Sequence, residues 1–316
     1  MNTLYVSDLD GTLLRYDEIL SPYTIGVINR LIADGMIFSY ATARSLITSK
    51  KVTKGLEARI PLIVYNGAFV IDNVTEEILL SAYFDQKVDG LFEDLFRHGI
   101  YPIVYSHRDG AEKFSFIREH CTVGMEDFLR TRKGDIRTNP VMTREDLTKG
   151  SNFYITCIDT PEKLKPMYEK YREEFHCVYQ KDIYTNAQWL EIMPAAASKA
   201  NAICRLKELL GCDRVVAFGD GKNDIDMFEI ADECYAVSNA AEELKAIATA
   251  VIESNQNDGV PKWLEENVGR KSAETGTSSR KRELEQKTVS ERTVSERGCN
   301  VSFRHREGFS DASAAE

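Results

Sequence analysis

The stretch LYVSDLDGTLL, residues 4–14, starts as an apolar strand and then places two aspartates two positions apart. Leu4 and Val6 suit a buried strand, whereas Asp8 and Asp10 bring two like charges close together at its end. Neighbouring carboxylates are costly unless a positive charge lies between them. The stretch therefore predicts a strand that ends at a site for a positively charged group.

Composition indicates an ordinary globular protein. The chain has 316 residues, 43% of them hydrophobic and 9% aromatic, which is enough for one or two domains with a substantial core. Its 50 acidic and 40 basic residues give a net charge of −10, and this argues against nucleic-acid binding because phosphate backbones require basic surfaces. The longest apolar run, IPLIVYNGAFVI at residues 60–71, is too short to span a membrane.

The first residues and the cysteines bear on the cellular compartment. MNTLYVSD lacks the basic and apolar regions of a signal peptide, so we expect none. The seven cysteines are scattered, odd in number and without a CxxC pair. This pattern favours reduced thiols over a disulfide framework or a zinc site, and it predicts a cytoplasmic protein.

Strands and helices alternate in two separate segments of the chain. Residues 1–82 combine strands with a helix over residues 22–33, and the alternation resumes over residues 190–268 with a helix at 198–210. The strands predicted in these segments are TLYVSD, MIFSYAT, LIVYNG, RVVAFGD and CYAVS. Such alternation predicts an α/β fold with a parallel sheet covered by helices.

Between these segments, residues 83–189 have a different texture. Shorter strands such as YPIVYS and FYITCI are separated by polar helices such as residues 161–172. We therefore predict a discontinuous core, residues 1–82 and 190–268, with a second domain of residues 83–189 inserted in it.

Residues 269–316 form a tail of another composition. The tail is rich in Ser, Glu, Arg and Thr, and it repeats TVSER at residues 288–292 and 293–297. It has too few apolar residues to offset the entropy of ordering, so we predict that it is disordered. A docking role is the alternative to a dispensable extension.

Polar residues follow four of the predicted strands. Asp8 and Asp10 follow the first strand, and Thr42, Asn66 and Asp220 follow MIFSYA, LIVY and RVVAFG. One such residue is often only a turn or a helix cap. Because ligands bind beyond the carboxyl ends of strands in open α/β sheets, four such endings in one sheet predict a single site.

The residue types at these strand ends point to phosphoryl transfer. Four carboxylates are expected to meet there, those of Asp8, Asp10, Asp220 and Asp224. Mg²⁺ resolves their repulsion, since it binds carboxylates together with water and a substrate phosphate oxygen. Thr42 offers a hydroxyl to the phosphate, and Lys199, near a helix start, offers a compact positive charge.

Four motifs resemble those of the haloacid dehalogenase (HAD) superfamily, specifically its Cof-type phosphatases. They are DLDGTLL, YATARS, SKANAI and GDGKNDIDM, and the resemblance spans residues 1–268. It implies a Rossmann-like, doubly wound parallel-sheet core with an α/β (C2-type) cap inserted between the second and third motifs. That position agrees with the insertion at residues 83–189.

The resemblance also implies a role for each motif residue. Asp8 is the nucleophile that forms an aspartyl-phosphate, and Asp10 is the general acid and base. The implied Mg²⁺ ligands are Asp8, the backbone carbonyl of Asp10 and Asp220, with Asp224 supporting them. The implied phosphoryl-binding groups are Thr42, Lys199, Asn223 and the backbone around Leu9 and Ala43.

Three further residues deserve mention beside these motifs. Arg44 and Asn66 are candidates for substrate contact, although Arg44 suits a surface or supporting role equally well. Family members usually have glycine where Ala43 stands; alanine keeps the backbone N–H but alters the loop. Neither this change nor the Lys199-Ala200 pair, where relatives often have Lys-Gly, touches a reacting group.

The expected function is a Mg²⁺-dependent phosphatase that acts on small phosphorylated metabolites, such as sugar phosphates or cofactor phosphates. No nucleic-acid or membrane partner is expected, and the oligomeric state is left open. Two alternatives remain: a phosphomutase with the same motifs, and a non-catalytic binding or regulatory protein on this scaffold. A non-catalytic relative usually loses the nucleophile or the metal-binding aspartates, and this chain retains both.

Overall fold

The computed structural model describes residues 2–57, 59, 61–181 and 187–268. The predicted tail, residues 269–316, lies outside the described residues. The strands, in chain order, are β1 Thr3–Ser7, β2 Ile37–Tyr40, β3 Leu62–Val64, β4 Phe69–Ile71, β5 Ile78–Ser81, β6 Ile103–Arg108, β7 Ala111–Ile117, β8 Thr138–Val141, β9 Ser151–Ile158, β10 His176–Lys181, β11 Gln188–Met193, β12 Arg214–Gly219, β13 Glu233–Val237 and β14 Ala250–Ile252. The helices are α1 Pro22–Ala33, α2 Leu46–Val52, α3 Val88–Arg97, α4 Val123–Thr131, α5 Arg144–Thr148, α6 Pro161–Tyr171, α7 Lys199–Leu210, α8 Ile225–Ile230, α9 Glu242–Ile247 and α10 Gly259–Asn267.

A five-stranded parallel sheet carries the first strand at an inner position. Its order is β14-β13-β12-β1-β2, so β1 lies between β12 and β2. The chain proceeds from β1 to one side and from β12 to the other, and the order therefore reverses between these two strands. In such sheets ligands bind in the crevice at the reversal point, beyond the carboxyl ends of the strands.

Helices cover this sheet with apolar stripes. In α1, the side chains of Val27, Ile28 and Leu31 are buried in the same core as Leu4 and Val6 of β1. The helix begins where the hydroxyl of Ser21 accepts a hydrogen bond from the backbone N–H of Thr24, with a proline at its first position. The predicted α/β fold with a parallel sheet is confirmed.

The third predicted strand, β3, pairs in an antiparallel sheet, whereas the sequence predicted a strand of the parallel sheet. It ends at Val64 and pairs in antiparallel fashion with β4, which in turn pairs with β5. Only one parallel bridge, between Ala41 and Ile63, joins it to the edge of the five-stranded sheet. The reason is local: Tyr65 and Asn66 have φ angles of 52° and 51°, and this left-handed turn reverses the chain.

The remaining strands form a six-stranded sheet with the order β10-β11-β9-β6-β7-β8. Its pairings are antiparallel except for that of β7 with β8. One face packs with α3 and α6, while the other shares an apolar cluster with α4 and with Tyr65 and Phe69. We call this second face the core-facing side of the six-stranded sheet. Within the described residues, no helix is long and apolar enough to cross a membrane.

Candidate active site

The site lies where β1 and β12 end. The backbone N–H of Asp8 donates a 2.9 Å hydrogen bond to the carbonyl of Phe218, so the β1–β12 ladder extends to this aspartate. Asp220 follows β12 directly, on the neighbouring strand. The sheet register therefore brings together two aspartates that are 212 positions apart in the printed sequence.

Three carboxylates converge at this point. Asp8, Asp220 and Asp224 each place one oxygen within 4.8 Å of the others. Burial raises the pKa of Asp8 well above its usual range, and the charges of Asp224 and Asp220 raise it further against the opposing effect of Lys199. Burial and Asp224 likewise raise the pKa of Asp220 to about 7. Oxygen ligands held this closely are the donor set of a divalent cation, and a cation there relieves their repulsion.

Lys199 neutralises part of this negative charge. Its Nζ donates hydrogen bonds to Oδ1 of Asp8 at 2.5 Å and to Oδ1 of Asp224 at 2.6 Å, and its side chain is only 1% exposed. Burial lowers the pKa of Lys199, but the two carboxylates raise it by more, so the ammonium group stays charged. Lys199 is the first residue of α7, where Ser198 caps the helix.

Asp224 shapes the loop that carries Asp220. Its second oxygen accepts 2.9 Å hydrogen bonds from the backbone N–H groups of Asp220 and Gly221. One oxygen of this buried carboxylate therefore holds the loop, while the other binds Lys199. These contacts hold the carboxylate of Asp224 in place despite the repulsion from the neighbouring aspartates.

Thr12 and Gly11 contact Asp220 of the candidate site, and neither was among the residues predicted from the sequence. The hydroxyl of Thr12 donates a 2.7 Å hydrogen bond to Oδ1 of Asp220. At Gly11, φ is 82° and a Cβ atom would lie 2.3 Å from Oδ2 of Asp220, so only glycine fits this approach. Both residues lie inside the quoted DLDGTLL motif, which was the available signal.

Asp10 points to a different partner from the other three aspartates. Sequence reasoning grouped four carboxylates, but the side chain of Asp10 binds Arg44, with Nε at 2.7 Å and Nη2 at 2.5 Å from its two oxygens. The guanidinium also donates to Glu18 at 2.7 Å. Although burial lowers the pKa of Arg44, these two carboxylates raise it above its ordinary value. A bidentate arginine fixes both the direction and the plane of the Asp10 carboxylate.

The predicted phosphate-binding residues line the neighbouring loops. Thr42 is buried, and its hydroxyl accepts a 3.1 Å hydrogen bond from the backbone N–H of Arg44. Leu9 is buried and Ala43 is half-buried in the loops after β1 and β2. Asn223 lies in a turn at Lys222–Asp224 and donates a 3.3 Å hydrogen bond to the side-chain oxygen of Asn66.

A buried hydrogen-bond chain links this region to the six-stranded sheet. Nδ2 of Asn66 donates to the hydroxyl of Tyr154 at 2.9 Å, and that hydroxyl donates to Glu191 at 2.7 Å. Asn66, Tyr154 and Glu191 are all buried. Sequence reasoning missed Tyr154 and Glu191, although a glutamate inside the apolar strand WLEIM was a usable signal.

The turn that contains Asn66 is packed against the start of α7. Gly67 has φ 93°, and a Cβ atom there would lie 2.1 Å from the carbonyl oxygen of Ser198. Only glycine permits this approach of two backbones. The turn after β3 and the helix that presents Lys199 therefore position each other.

Comparison with known proteins identifies the family. The sequence profile of the haloacid dehalogenase-like hydrolases matches residues 5–264. The chain is 26% identical over 285 residues to a 5-amino-6-(5-phospho-D-ribitylamino)uracil phosphatase of Bacillus subtilis, with 83% of this chain and 96% of the relative covered. A second phosphatase of that name from the same organism is 27% identical over 279 residues, with 82% and 96% covered.

Solved structures agree with this assignment. An X-ray structure of a Thermotoga maritima protein matches with a TM-score of 0.68 and 26% identity, covering 84% of this chain and 97% of that one. A haloacid dehalogenase-like hydrolase from Bacteroides thetaiotaomicron has the same fold, with a TM-score of 0.69 at 22% identity and coverage of 84% and 99%. The chain therefore belongs to the haloacid dehalogenase-like hydrolases, the family that its motifs resemble.

Proposed function

We propose that this protein hydrolyses phosphate monoesters of small metabolites through an aspartyl-phosphate on Asp8. The observation that carries the proposal is the double contact of Lys199 with Asp8 and Asp224, beside Asp220. A buried nucleophile next to a fixed positive charge suits attack on an anionic phosphorus centre. The two Bacillus subtilis relatives, named as phosphatases of a ribitylaminouracil phosphate, support a small phosphorylated metabolite as the substrate class.

The proposed reaction has two steps. In the first, a carboxylate oxygen of Asp8 attacks phosphorus, the bond from phosphorus to the leaving oxygen breaks, and Asp10 gives that oxygen a proton. In the second, Asp10 takes a proton from water, the water oxygen attacks phosphorus, and the bond to Asp8 breaks to release inorganic phosphate. Each carboxylate thus returns to its starting state.

Other groups of this chain hold the transferring phosphoryl group. Lys199 stabilises the charge that develops on its oxygens, because the ammonium is fixed in a site with little water. Thr42, Asn223 and the backbone N–H groups around Leu9 and Ala43 supply hydrogen bonds. Arg44 orients the Asp10 carboxyl through its bidentate contact, which favours a positioning role for this arginine.

The acidic cluster fits Mg²⁺ as the cofactor. Its oxygen ligands would come from Asp8, the backbone carbonyl of Asp10 and Asp220, with Asp224 supporting them. When bound, Mg²⁺ supplies positive charge to the phosphoryl oxygens and offsets the repulsion between the carboxylates and the substrate. Hydrolysis is expected to stop after exhaustive EDTA treatment and to resume when Mg²⁺ is added. Full activity in the chelated protein would reject the metal assignment.

The domain division is part of the same proposal. Residues 1–82 and 190–268 would form the catalytic core, and residues 83–189 a cap that selects the substrate. Two observations support it: the strands of the parallel sheet come from both outer segments, whereas nearly all of the six-stranded sheet comes from the inner one. Strand β11 continues to Met193, so the return to the core follows that residue closely.

Two substitutions test the mechanism. With p-nitrophenyl phosphate the leaving group needs no proton, so Asp10→Asn should give a burst of about one nitrophenolate per enzyme. Slow turnover should follow, reduced by roughly 10²- to 10⁴-fold, the range for a general acid or base. Asp8→Asn should give no burst, and wild-type activity in that variant would refute the covalent route. Activation by a hexose bisphosphate would instead indicate a phosphomutase.

A further inference from the structure

Two polar side chains on the core-facing side of the six-stranded sheet, Tyr105 and Arg132, have hydrogen-bonding groups that no described residue satisfies. Tyr105 of β6 is only 7% exposed, and its ring packs edge-on against Tyr65 at 5.6 Å between centroids. Its hydroxyl makes no hydrogen bond to any residue that the structure describes. Burial raises the pKa of Tyr105 to about 12, while the charges of Arg132 and Arg137 oppose this shift, so the hydroxyl remains a neutral donor near both arginines.

Arg132 is the second of these side chains. It follows α4 and stacks on the face of Phe128, with its guanidinium carbon 3.5 Å from the ring centroid. Only Nη1 donates hydrogen bonds, to the carbonyl of Phe128 at 3.3 Å and to the hydroxyl of Thr131 at 2.7 Å. No carboxylate of the described residues forms an ion pair with it. The N–H groups on the other two nitrogens of the guanidinium are therefore available to donate hydrogen bonds to a ligand.

Two other arginines, Arg137 and Arg44, differ from Arg132 because both form ion pairs with carboxylates. Arg137 is bound by Asp135 at 2.6 Å and by Glu112 at 2.7 Å, and Arg44 is bound by Asp10 and Glu18. Their charges are balanced within the protein. No carboxylate of the described residues balances the charge of Arg132, whose pKa is lowered by burial and by the positive charges of Arg137 and Arg44.

This arrangement connects Arg132 with the catalytic residues. The ring of Tyr105 packs at 5.6 Å against Tyr154, whose hydroxyl is bonded to Asn66, the partner of Asn223. On its other side Tyr105 packs at 5.8 Å against Phe114, which packs at 6.2 Å against Phe128, the ring on which Arg132 stacks. Arg132 also lines a cavity of about 450 Å³ together with Lys133; the two carboxylates in its wall, Glu126 and Asp135, are bound by Arg118 and Arg137. A cavity of this size accommodates part of a small ligand. The complement to an unbalanced arginine and a phenol donor is an anion.

We propose that Arg132 and Tyr105 bind an acidic group on the leaving portion of the substrate. The preferred substrates are then phosphate monoesters that carry a second anion, such as a carboxylate, rather than esters of neutral polyols. This inference rests on the proposed phosphatase function and adds a substrate class to it. The guanidinium would pair with the carboxylate in the two-pronged manner that arginine favours, and Tyr105 would donate one further hydrogen bond.

Matched esters test the proposal. The pair 6-phosphogluconate and sorbitol 6-phosphate differs only in a carboxylate against a hydroxymethyl group, and 3-phosphoglycerate and glycerol 3-phosphate form a shorter pair. We expect the wild-type protein to give a higher kcat/KM with the acid in at least one pair. Arg132→Gln should reduce that preference by about 10- to 100-fold, the range for a hydrogen bond to a charged group.

Three variants complete the experiment. Tyr105→Phe removes only the hydroxyl and should reduce the preference by about 5- to 10-fold, as for a neutral hydrogen bond. Arg132→Lys keeps the charge and should retain part of the preference. Arg172→Gln is the matched control, because Arg172 follows α6 on the other face of the sheet, stacks on Tyr168 and is bound to Glu173; it should keep the wild-type preference.

The outcomes separate the two hypotheses. If the wild-type protein hydrolyses p-nitrophenyl phosphate but prefers the polyol ester in both pairs, the phosphatase function stands and the anion site is overturned. The same conclusion follows if the preference is unchanged in folded Arg132→Gln and Tyr105→Phe proteins. If no ester is hydrolysed in the presence of Mg²⁺, the proposed function is rejected, and the inference fails with it.

Discussion

The hydroxyl of Tyr154 accepts a 2.9 Å hydrogen bond from Asn66, and this bond joins the six-stranded sheet to the turn after β3. Asn66 in turn accepts a hydrogen bond from Asn223, which belongs to the GDGKND loop. The amide of Asn66 is thus held from both sides. A change at Tyr154 in the six-stranded sheet can therefore alter the position of Asn223 through the side chain of Asn66.

Tyr154→Phe should impair catalysis through this chain. Removal of the hydroxyl takes one acceptor from Nδ2 of Asn66 and one donor from Glu191 at a buried place, which we expect to cost about 1–3 kcal/mol of stability. Because Asn223 loses its support, kcat should fall about 10-fold with KM almost unchanged, and by the same factor for p-nitrophenyl phosphate as for larger esters. Steady-state kinetics on both substrate types measure this.

The control for this variant is Tyr179→Phe. Tyr179 lies in β10 of the same sheet and stacks on Tyr168 at 5.3 Å. Its variant should keep the wild-type kcat. A Tyr154→Phe protein that loses stability but keeps kcat would assign Tyr154 a purely structural role.

Lys199→Met should destabilise the protein strongly. It leaves the buried carboxylates of Asp8 and Asp224 without their shared cation, and breaking a buried ion pair in this way costs about 3–5 kcal/mol. Urea denaturation at neutral pH, with EDTA present, measures the loss. The loss should shrink at lower pH, since protonation of the carboxylates removes their repulsion.

Lys207→Met provides the comparison in the same helix. Lys207 lies 3.9 Å from Asp232 at a partly exposed position, so its variant should change stability by less than about 1 kcal/mol. Equal losses in the two variants would contradict the buried-charge explanation.

Gly67→Ala should disturb the turn and α7 together. The new Cβ atom meets the carbonyl oxygen of Ser198, and φ at this position is 93°, so we expect a loss of at least about 2 kcal/mol. Gly26→Ala is the matched change, since Gly26 lies in the exposed middle of α1 with open space around its Cβ position. It should stabilise the protein by about 0.5–1 kcal/mol. Thermal unfolding that ranks the two variants in the opposite order would refute the steric account.

Asp94 should stabilise the protein only above acidic pH. On α3 it accepts hydrogen bonds from Lys170 at 2.6 Å and Tyr171 at 3.1 Å, and these bonds hold the pKa of Asp94 below its ordinary value. A carboxyl with a lowered folded-state pKa contributes its full stability above the unfolded-state pKa, and the contribution is lost as the pH falls through the folded-state pKa. Asp94→Asn should therefore be less stable than wild type at pH 7.

Urea denaturation over a pH series checks this prediction. The difference between wild type and Asp94→Asn should diminish below about pH 4, near the usual pKa of an aspartate. Asp127→Asn, at an exposed position of α4, should show no comparable pH dependence. A difference between wild type and Asp94→Asn that is constant from pH 7 to pH 3 would mean that Asp94 acts through packing alone.

The sequence predicted the residues of the site better than their partners. Asp8 and Asp220 lie together as predicted, because strand ends in a parallel sheet lie at one edge and clear apolar runs precede both residues; the role of Thr42 stays a prediction. The contact between Arg44 and Asp10 could not be predicted, because an arginine pairs with a carboxylate that lies near it in the folded chain, and only the structure shows which one does. Pattern alone leaves such pairings open.

The course of β3 shows a second limit. LIVY has the composition of a buried parallel strand, but the Asn66-Gly67 pair that follows it, with AFVI beyond, is typical of a hairpin turn. Packing of Gly67 against Ser198 holds this pair in its conformation. The Asn66-Gly67 pair was therefore a local signal of the reversal, and the contact of Gly67 with Ser198, far away in the chain, fixes the geometry of the turn.

The position of β1 has a consequence for synthesis on the ribosome. β1 emerges before β2 and can pair with it early, but its other edge pairs with β12, which follows the whole six-stranded sheet in the chain. At about 5–20 residues per second, that edge stays unpaired for on the order of ten seconds while the six-stranded sheet is translated. An open apolar strand edge invites association with other chains, so nascent protein should depend on chaperones until residue 219 has emerged.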